Sequence, residues 1–143
     1  ADLRRGTKTP IASCETLTGL RQLRPFLDHR AADVVIIDVM YNGILEALRM
    51  AALCDAFEVN VATHNYSGPI GSLITANYCG VLPNFRVMEI DVDQVPWAYD
   101  LLTVKPVIEN GHMDLLPGPG WGAEVDEEAI KAHPPIQEKS GLV

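Results

Sequence analysis

Four ionisable side chains follow short apolar runs at nearly constant separations along this chain. They are Glu15, Asp38, His64 and Glu89, spaced 23, 26 and 25 residues apart. Carboxylate oxygens are ligands that Mg²⁺ prefers, and an imidazole beside a carboxylate can act as a general base. A single polar residue after an apolar run is usually a turn former or a helix cap. Four residues in phase, all capable of acid, base or metal chemistry, predict a common site.

The first two carboxylates each have several possible roles. Glu15 follows Cys14 and could be a Mg²⁺ ligand, or it could cap the helix that comes next. Asp38 follows Ile37 and could be a second metal ligand, an orienting partner for an imidazole, or the cap of the helix after Asn42-Gly43. The residue types alone leave these alternatives open.

We predict that His64 and Asp38 form an acid/base pair. Adjacent parallel strands lie about 5 Å apart, so a side chain at the end of one strand can reach its neighbour. A buried carboxylate bonded to one ring nitrogen fixes the tautomer and leaves the other nitrogen aimed at substrate. The alternative is a structural histidine. Glu89, if protonated, could donate a hydrogen bond to a developing oxyanion, or it could form an ion pair with Arg86 or a lysine.

Such a site needs a fold in which the chain returns repeatedly to the same end of a parallel sheet. Short runs rich in β-branched residues alternate four times with stretches of helical period, which predicts strands over residues 10–14, 33–37, 59–63 and 85–88. Most of these runs are nearly continuous in apolar character, which is typical of strands buried on both faces. The repeat predicts an α/β fold with right-handed crossovers, either an open doubly wound sheet or part of a closed barrel.

The pattern changes after the fourth predicted strand. Asn110-Gly111 predicts a tight hairpin, because both residues tolerate positive φ. Residues 117–122, rich in Gly and Pro, predict an irregular loop, and a short helix is expected to open at Asp126. A complete eight-unit barrel needs about 250 residues, so a barrel chain of this length would hold about half of one.

Composition and charge exclude several classes of protein. The 143 residues are 48% hydrophobic and carry a net charge of −8, with a pI near 4.8. The apolar fraction is too high for disorder, and no run approaches the roughly 18 apolar residues of a membrane span. The acidic balance repels phosphate, so we expect no nucleic-acid partner and no membrane partner. The basic cluster Arg4, Arg5 and Lys8 is interpreted as a solvated helix end. The three cysteines lack CxxC spacing and indicate buried thiols in the cytoplasm.

The strand-end segments and the end of the chain together resemble a known family. The segments are PIASCE (10–15), VIID (35–38) with NGI (42–44), ATHN (62–65) and VME (87–89), followed by the hairpin and the Gly-Pro loop. In order and spacing they resemble the C-terminal half of the mandelate racemase and muconate lactonizing branch of the enolase superfamily. The resemblance implies a modified TIM barrel of the (β/α)7β type. Residues 1–104 would be its fifth to eighth strands, and residues 105–143 a hairpin and tail that pack on a capping domain.

The resemblance also implies a role for each strand-end residue. Glu15 corresponds to the third Mg²⁺ ligand, and Glu89 to the group that assists the enolate. His64 and Asp38 correspond to the acid/base dyad. This superfamily is itself the standard example of a Lys or His base working with Mg²⁺. The segment HNYSGPI (64–70) is closer to the acid-sugar dehydratases of the galactonate type. We therefore expect part of a Mg²⁺-dependent hydro-lyase that removes the proton α to a carboxylate through an enediolate intermediate.

The resemblance further implies which partners the chain needs. We expect a small sugar-acid substrate, the missing N-terminal half of the barrel with its capping domain, and a homo-oligomer for the full-length protein. Only one of three metal carboxylates is present, so we expect the chain alone to be inactive and to bind Mg²⁺ poorly. Three alternatives stay open: a racemase or epimerase of the same superfamily, a non-catalytic barrel remnant or assembly module, and a receiver-like doubly wound domain.

Overall fold

The computed structural model describes residues 1–134 as an α/β fold with one four-stranded sheet and a two-stranded hairpin. The sheet strands are β1 (Ala12–Ser13), β2 (Val34–Asp38), β3 (Asn60–His64) and β4 (Phe85–Met88), and the hairpin strands are β5 (Ile108–Glu109) and β6 (His112–Met113). The helices are α1 (Asp2–Arg5), α2 (Gly19–Asp28), α3 (Val39–Asn42), α4 (Ile44–Ala56), α5 (Gly68–Cys79) and α6 (Glu127–Ala132), with a 3₁₀ turn at Ala98–Leu101. Residues 135–143, the end of the predicted tail, lie outside the described residues.

The four sheet strands are parallel and lie in the order β1-β2-β3-β4. An open doubly wound sheet reverses its strand order at a switch point, whereas the strands of a barrel follow one another in sequence. The observed order therefore matches the barrel alternative rather than a receiver-like sheet. It confirms the predicted α/β fold with parallel βα repeats.

The two faces of the central strands have different environments. Val35 and Ile37 of β2 belong to the buried core, which they form together with residues of α2, α4 and α5. Because side chains alternate along a strand, Asp38 lies on the opposite face, and the register pairs it directly with His64 of β3. The helices thus stabilise one face, while the other face carries the ionisable strand ends.

The outer strands differ from the prediction. β1 contains only Ala12–Ser13 instead of residues 10–14, because the N–H of Ile11 donates to Asp33 Oδ2 at 2.8 Å and Cys14 adopts a left-handed φ of 99°. Both β1 and β4 are largely exposed, and only β2 and β3 are mostly buried. The prediction that most strands are buried on both faces was wrong, since each outer strand has a neighbour on one side only.

Helix α1 carries part of the predicted basic cluster. Arg5 and Lys8 are exposed, as expected of a solvated helix end. Arg4 is different, because its guanidinium lies 2.6 Å from Asp33 Oδ1 and also donates to the carbonyl oxygen of Arg30. Arg4 therefore fixes α1 to the segment before β2. In the part of the chain described here, no helix has both the length and the apolar character needed to cross a membrane.

The hairpin and the last helix confirm the sequence predictions for this region. Asn110 and Gly111 have φ angles of 52° and 77° and join β5 to the antiparallel β6. The carboxylate of Asp126 accepts N–H groups of the first turn of α6 and so caps that helix. Helix α3 was not predicted, because four residues directly after a strand are too few to show a helical period.

Candidate active site

The carboxyl ends of β2 and β3 bring Asp38 and His64 into direct contact. The two residues are register partners, and His64 Nδ1 lies 2.6 Å from Asp38 Oδ2. Asp38 is 1% exposed, whereas the His64 side chain is 28% exposed. A buried carboxylate that accepts the Nδ1 hydrogen selects the tautomer in which Nε2 carries a lone pair. The arrangement can therefore offer Nε2 as a base, or as an acid once it is protonated.

Asp38 uses its two oxygens for different contacts. Oδ1 accepts the backbone N–H of Tyr41 at 2.8 Å and caps α3, while Oδ2 contacts His64. These contacts match two of the roles considered for Asp38, the orienting partner and the helix cap. The capped helix is α3, however, and not the helix after Asn42-Gly43. The metal-ligand role fits less well, because both oxygens of this buried side chain already accept protein donors.

Glu89 lies one residue beyond β4 and beside His64. Its Oε2 accepts the backbone N–H of Asn65 at 2.8 Å and lies 4.0 Å from His64 Nε2. Among residues 1–134, His64 is the one basic side chain within ion-pair distance of Glu89, so the alternative pairing with Arg86 or a lysine is not formed. Because Oε2 accepts the Asn65 N–H, Oε1 is the better-placed oxygen to carry a proton and donate it to a ligand.

A register shift in β4 determines the face on which Glu89 lies. Two consecutive residues of β3 pair with Phe85 and Val87, which leaves Arg86 as an extra residue. Since side chains alternate along a strand, one residue fewer would turn Glu89 to the face opposite His64. The extra residue therefore brings Glu89 into phase with the histidine.

Within residues 1–134, no hydrogen bond or ion pair joins Glu15 to the other three predicted site residues. Glu15 lies half-buried in a turn after β1, and the N-cap of α2 is Thr18, so the helix-cap alternative for Glu15 is wrong. Across residues 1–134, no three His, Cys, Asp or Glu side chains are grouped so that they could hold a metal ion. Mg²⁺ requires several oxygen ligands in octahedral geometry. The described residues do not form a complete magnesium site, and Glu15 could supply one ligand at most.

Asn42 connects the loop after Glu15 to the strand that carries Asp38. Its Oδ1 accepts the N–H of Gly19 at 2.8 Å. Its Nδ2 donates to the carbonyl oxygens of Leu17 at 3.3 Å and Asp38 at 2.9 Å. No role for Asn42 was predicted, although an amide one helical turn after a strand-end carboxylate could have indicated one.

Asn65 and Tyr41 also lie near the His64-Asp38 pair, and no role was predicted for either residue. Asn65 is 1% exposed and contacts Glu89 through its backbone and its side chain. Tyr41 is 62% exposed, and its ring centroid lies 6.2 Å from that of His64. The sequence could have indicated a role for Asn65, because this polar residue directly follows the histidine at the end of an apolar strand.

The exposed rim of the site is negatively charged. The pKa of Tyr66 is raised, first by the charge of Asp91 and then by that of Asp93, with smaller effects from burial and from Glu89. Ionisation of this phenol would add a negative charge beside several others, which costs free energy. Any anion approaching this rim therefore needs positive charge nearby, from an imidazolium or from a bound cation.

Comparison with known proteins places this geometry in a family context. The enolase C-terminal domain-like family matches residues 1–129. A D-xylonate dehydratase from Haloferax volcanii is 34% identical over 128 residues, which are 89% of this chain and 31% of that protein. A D-gluconate/D-galactonate dehydratase from Picrophilus torridus is 33% identical over 132 residues, 91% of this chain and 34% of that protein. The chain thus spans about a third of the length of these curated relatives.

A solved structure extends the likeness to three dimensions. It is that of a proposed L-alanine-DL-glutamate epimerase from Burkholderia xenovorans strain LB400, bound to magnesium and fumarate. The TM-score is 0.90 at 43% identity, over 95% of this chain and 34% of that chain. The resemblance predicted from the strand-end segments is confirmed. Because the family match covers nearly all of the described residues, and the parallel sheet is the one that the family implies, the chain belongs to the enolase C-terminal domain-like family.

Proposed function

We propose that this chain is the acid/base part of a Mg²⁺-dependent acid-sugar dehydratase. The observation that carries the proposal is the 2.6 Å contact between His64 Nδ1 and Asp38 Oδ2 at the carboxyl edge of a parallel sheet. That edge is where barrel enzymes hold their active sites. The names of the two dehydratase relatives support the substrate class. Because the chain spans about a third of their length, the complete activity would belong to a longer polypeptide.

His64 would begin the reaction as a base. The neutral imidazole, with its Nδ1 hydrogen bound to Asp38, would take the proton α to the substrate carboxylate at Nε2. The electron pair of the broken C–H bond would pass to that carboxylate and form an enediolate. The buried Asp38 carboxylate would stabilise the resulting imidazolium without accepting its proton.

The imidazolium would then act as an acid on the β-hydroxyl. Its proton would go to that oxygen, the C–O bond would break, and water would leave. The enediolate electrons would form the new carbon–carbon double bond, and the enol would tautomerise to a 2-keto-3-deoxy acid. Glu89, 4.0 Å from Nε2, would donate a hydrogen bond from a protonated Oε1 to the developing oxyanion.

Magnesium is part of the proposal, although this chain could contribute little to its binding. When bound, the ion would supply Lewis-acid stabilisation of charge on the substrate carboxylate. Glu15 would provide one oxygen ligand, and the remaining ligands would come from outside residues 1–134. Removal of the metal by a chelator should abolish turnover in the natural full-length protein that contains this chain, and added Mg²⁺ should restore it.

The test of the dehydratase function is a screen of sugar acids with that full-length protein and Mg²⁺. We expect a 2-keto-3-deoxy acid as product, and we expect His64→Asn to abolish its formation. His29→Asn is a matched control, because His29 ends α2 and has no contact with the pair. Unchanged turnover in His64→Asn would remove this histidine from the mechanism.

An epimerase is the second candidate, favoured by the 43% identity to the Burkholderia protein. In that reaction the same Nε2 would exchange the α-proton, and every hydroxyl of the substrate would remain. Turnover in D₂O separates the two functions. Epimerisation would give a deuterated substrate or its epimer with no loss of water, whereas dehydration would give the keto-deoxy acid.

A further inference from the structure

We propose that Asn65 is a positioning residue that holds the Glu89 carboxyl group beside His64 Nε2. The inference rests on the proposed function, because it gives Asn65 a role through Glu89. Asn65 follows His64 directly and is 1% exposed, so its side chain points into the protein while the histidine faces the open side.

Asn65 contacts Glu89 at two separate points. Its backbone N–H donates to Glu89 Oε2 at 2.8 Å, and its Nδ2 donates to the Glu89 carbonyl oxygen at 3.0 Å. β4 ends at Met88, and beyond it the backbone bond from Glu89 N to the Thr63 oxygen is 3.3 Å long. The side chain of Asn65 therefore extends the pairing of β3 and β4 past the point where the backbone ladder weakens.

The chemistry of the neighbours fixes the orientation of the Asn65 amide. Nδ2 also donates to Ser72 Oγ at 2.9 Å, and that hydroxyl donates its own hydrogen to the Gly68 carbonyl oxygen at 3.0 Å. Ser72 Oγ and the Glu89 carbonyl can both accept from Nδ2, so the amide must present its nitrogen to them. Asn65 Oδ1 is left buried with no hydrogen-bond partner among the described residues. A buried acceptor without a partner costs free energy. The two hydrogen bonds that Nδ2 donates must therefore stabilise this region by more than the unpaired oxygen costs.

The side chain of Asn65 holds the backbone of Glu89, and the bond from the Asn65 N–H to Glu89 Oε2 keeps its geometry only while this strand end stays in place. The Glu89 side chain is 48% exposed, and its Oε2 is 4.0 Å from His64 Nε2. Movement of the strand end would carry the carboxylate away from the imidazole and toward solvent. A displacement of about 1 Å at a reacting group can cost about 100-fold in rate.

The test uses the full-length protein with Asn65→Ala and with the milder Ser72→Ala. We expect kcat to fall by about 10- to 100-fold in Asn65→Ala, by less in Ser72→Ala, and KM to stay within about twofold in both. Asn84→Ala is the matched control: Asn84 is also buried, its Nδ2 also donates two hydrogen bonds, here both to carbonyl oxygens, and its Oδ1 also lacks a partner among the described residues. It lies at the other end of β4, so kcat per folded molecule should not change.

A double-mutant cycle with Glu89→Ala separates positioning from a general structural role. Alanine is chosen because the amide of glutamine could still donate a hydrogen bond in place of a protonated Glu89. If Asn65 acts through Glu89, adding Asn65→Ala to Glu89→Ala should lower kcat no further. Full additivity, or normal kcat in Asn65→Ala while Glu89→Ala is slow, would overturn the inference and leave the proposed function intact. If Glu89→Ala itself retains full kcat, the proposed role of Glu89 fails and the inference fails with it.

Discussion

Asp38 combines two contacts that are usually made by separate residues. One oxygen holds the His64 imidazole, and the other holds the start of α3 through the N–H of Tyr41. The helix cap keeps the carboxylate from rotating, since rotation would break a backbone hydrogen bond as well as the contact with the ring. The orientation of the histidine is therefore coupled to the fold of the segment that follows the strand.

Replacement of this carboxylate by an amide should separate the two contacts. In Asp38→Asn the side-chain oxygen can still cap α3, but the side chain is neutral and no longer stabilises an imidazolium. We expect kcat of the full-length protein to fall by about 10²- to 10⁴-fold with little change in thermal stability. Asp126→Asn, at the half-buried cap of α6, is the control and should retain full activity. Retained activity in Asp38→Asn would contradict an orienting role for this carboxylate.

At the scale of secondary-structure elements, the regular βα repeat explains why part of the site could be predicted. Asp38 and His64 end strands of equal length that pair without a break, so their spacing in sequence becomes contact in space. Glu89 and Glu15 are different. The register shift at Arg86 and the left-handed φ of Cys14 both depend on tertiary pairing, and neither leaves a pattern in the sequence. Helix α3 is likewise too short to produce a periodic signal.

Asp33 connects α1 and the start of β1 to β2. The pKa of its carboxyl is lowered, first by the hydrogen bond from Arg4 and then by the N–H of Ile11. A carboxyl whose pKa is lower in the folded than in the unfolded chain stabilises the fold above the unfolded value, and this effect is lost as the pH falls through the folded value. Asp33→Asn should therefore lower the thermal midpoint at pH 7.

The difference in thermal midpoint between Asp33→Asn and the unmodified protein should become smaller as the pH falls below about 4, the ordinary pKa of an aspartate carboxyl. Thermal unfolding at a series of pH values measures this difference. Asp28→Asn is the control, because Asp28 forms an exposed ion pair with Arg24 within one helix, and such pairs contribute little. A constant difference at every pH would contradict a titrating role for Asp33.

At the scale of the whole molecule, the core contains three buried thiols that titrate at high pH. Burial raises the pKa of Cys14 to about 11, of Cys54 to about 12 and of Cys79 to about 11, from an ordinary value of 9.0. Above pH 9 the thiols of the unfolded chain lose protons while those of the folded chain keep them. The unfolded state then binds fewer protons, so stability should fall as the pH rises from about 9 toward 11.

Denaturant unfolding between pH 7 and 10.5 checks this prediction. Cys54→Ala should cost about 1 kcal/mol at pH 7 through the lost packing, and its decline in stability with rising pH should be less steep. Cys14 and Cys79 remain in that variant, so part of the decline should persist. An equal slope in both proteins would show that the Cys54 thiol does not contribute to it.

The two edge strands of the sheet are exposed, which affects the association and the activity of the isolated chain. β1 and β4 each have one paired neighbour, and Val87, on the face that carries the candidate active-site residues, is 57% exposed. An unpaired edge next to an apolar surface favours association with other chains. The site is equally incomplete, because Glu15 has no partner carboxylates that could form a metal site with it among residues 1–134.

We therefore predict that the 143-residue chain, produced alone, neither saturates with Mg²⁺ nor converts sugar acids. Calorimetric titration with Mg²⁺ and a product assay, run beside the full-length protein, measure both properties. In the full-length protein, Glu15→Gln should weaken Mg²⁺ binding, because one charged oxygen ligand becomes a neutral amide, whereas Glu58→Gln, on the exposed turn after α4, should not. Mg²⁺-dependent turnover by the isolated chain would show that these residues form a complete site without further strands.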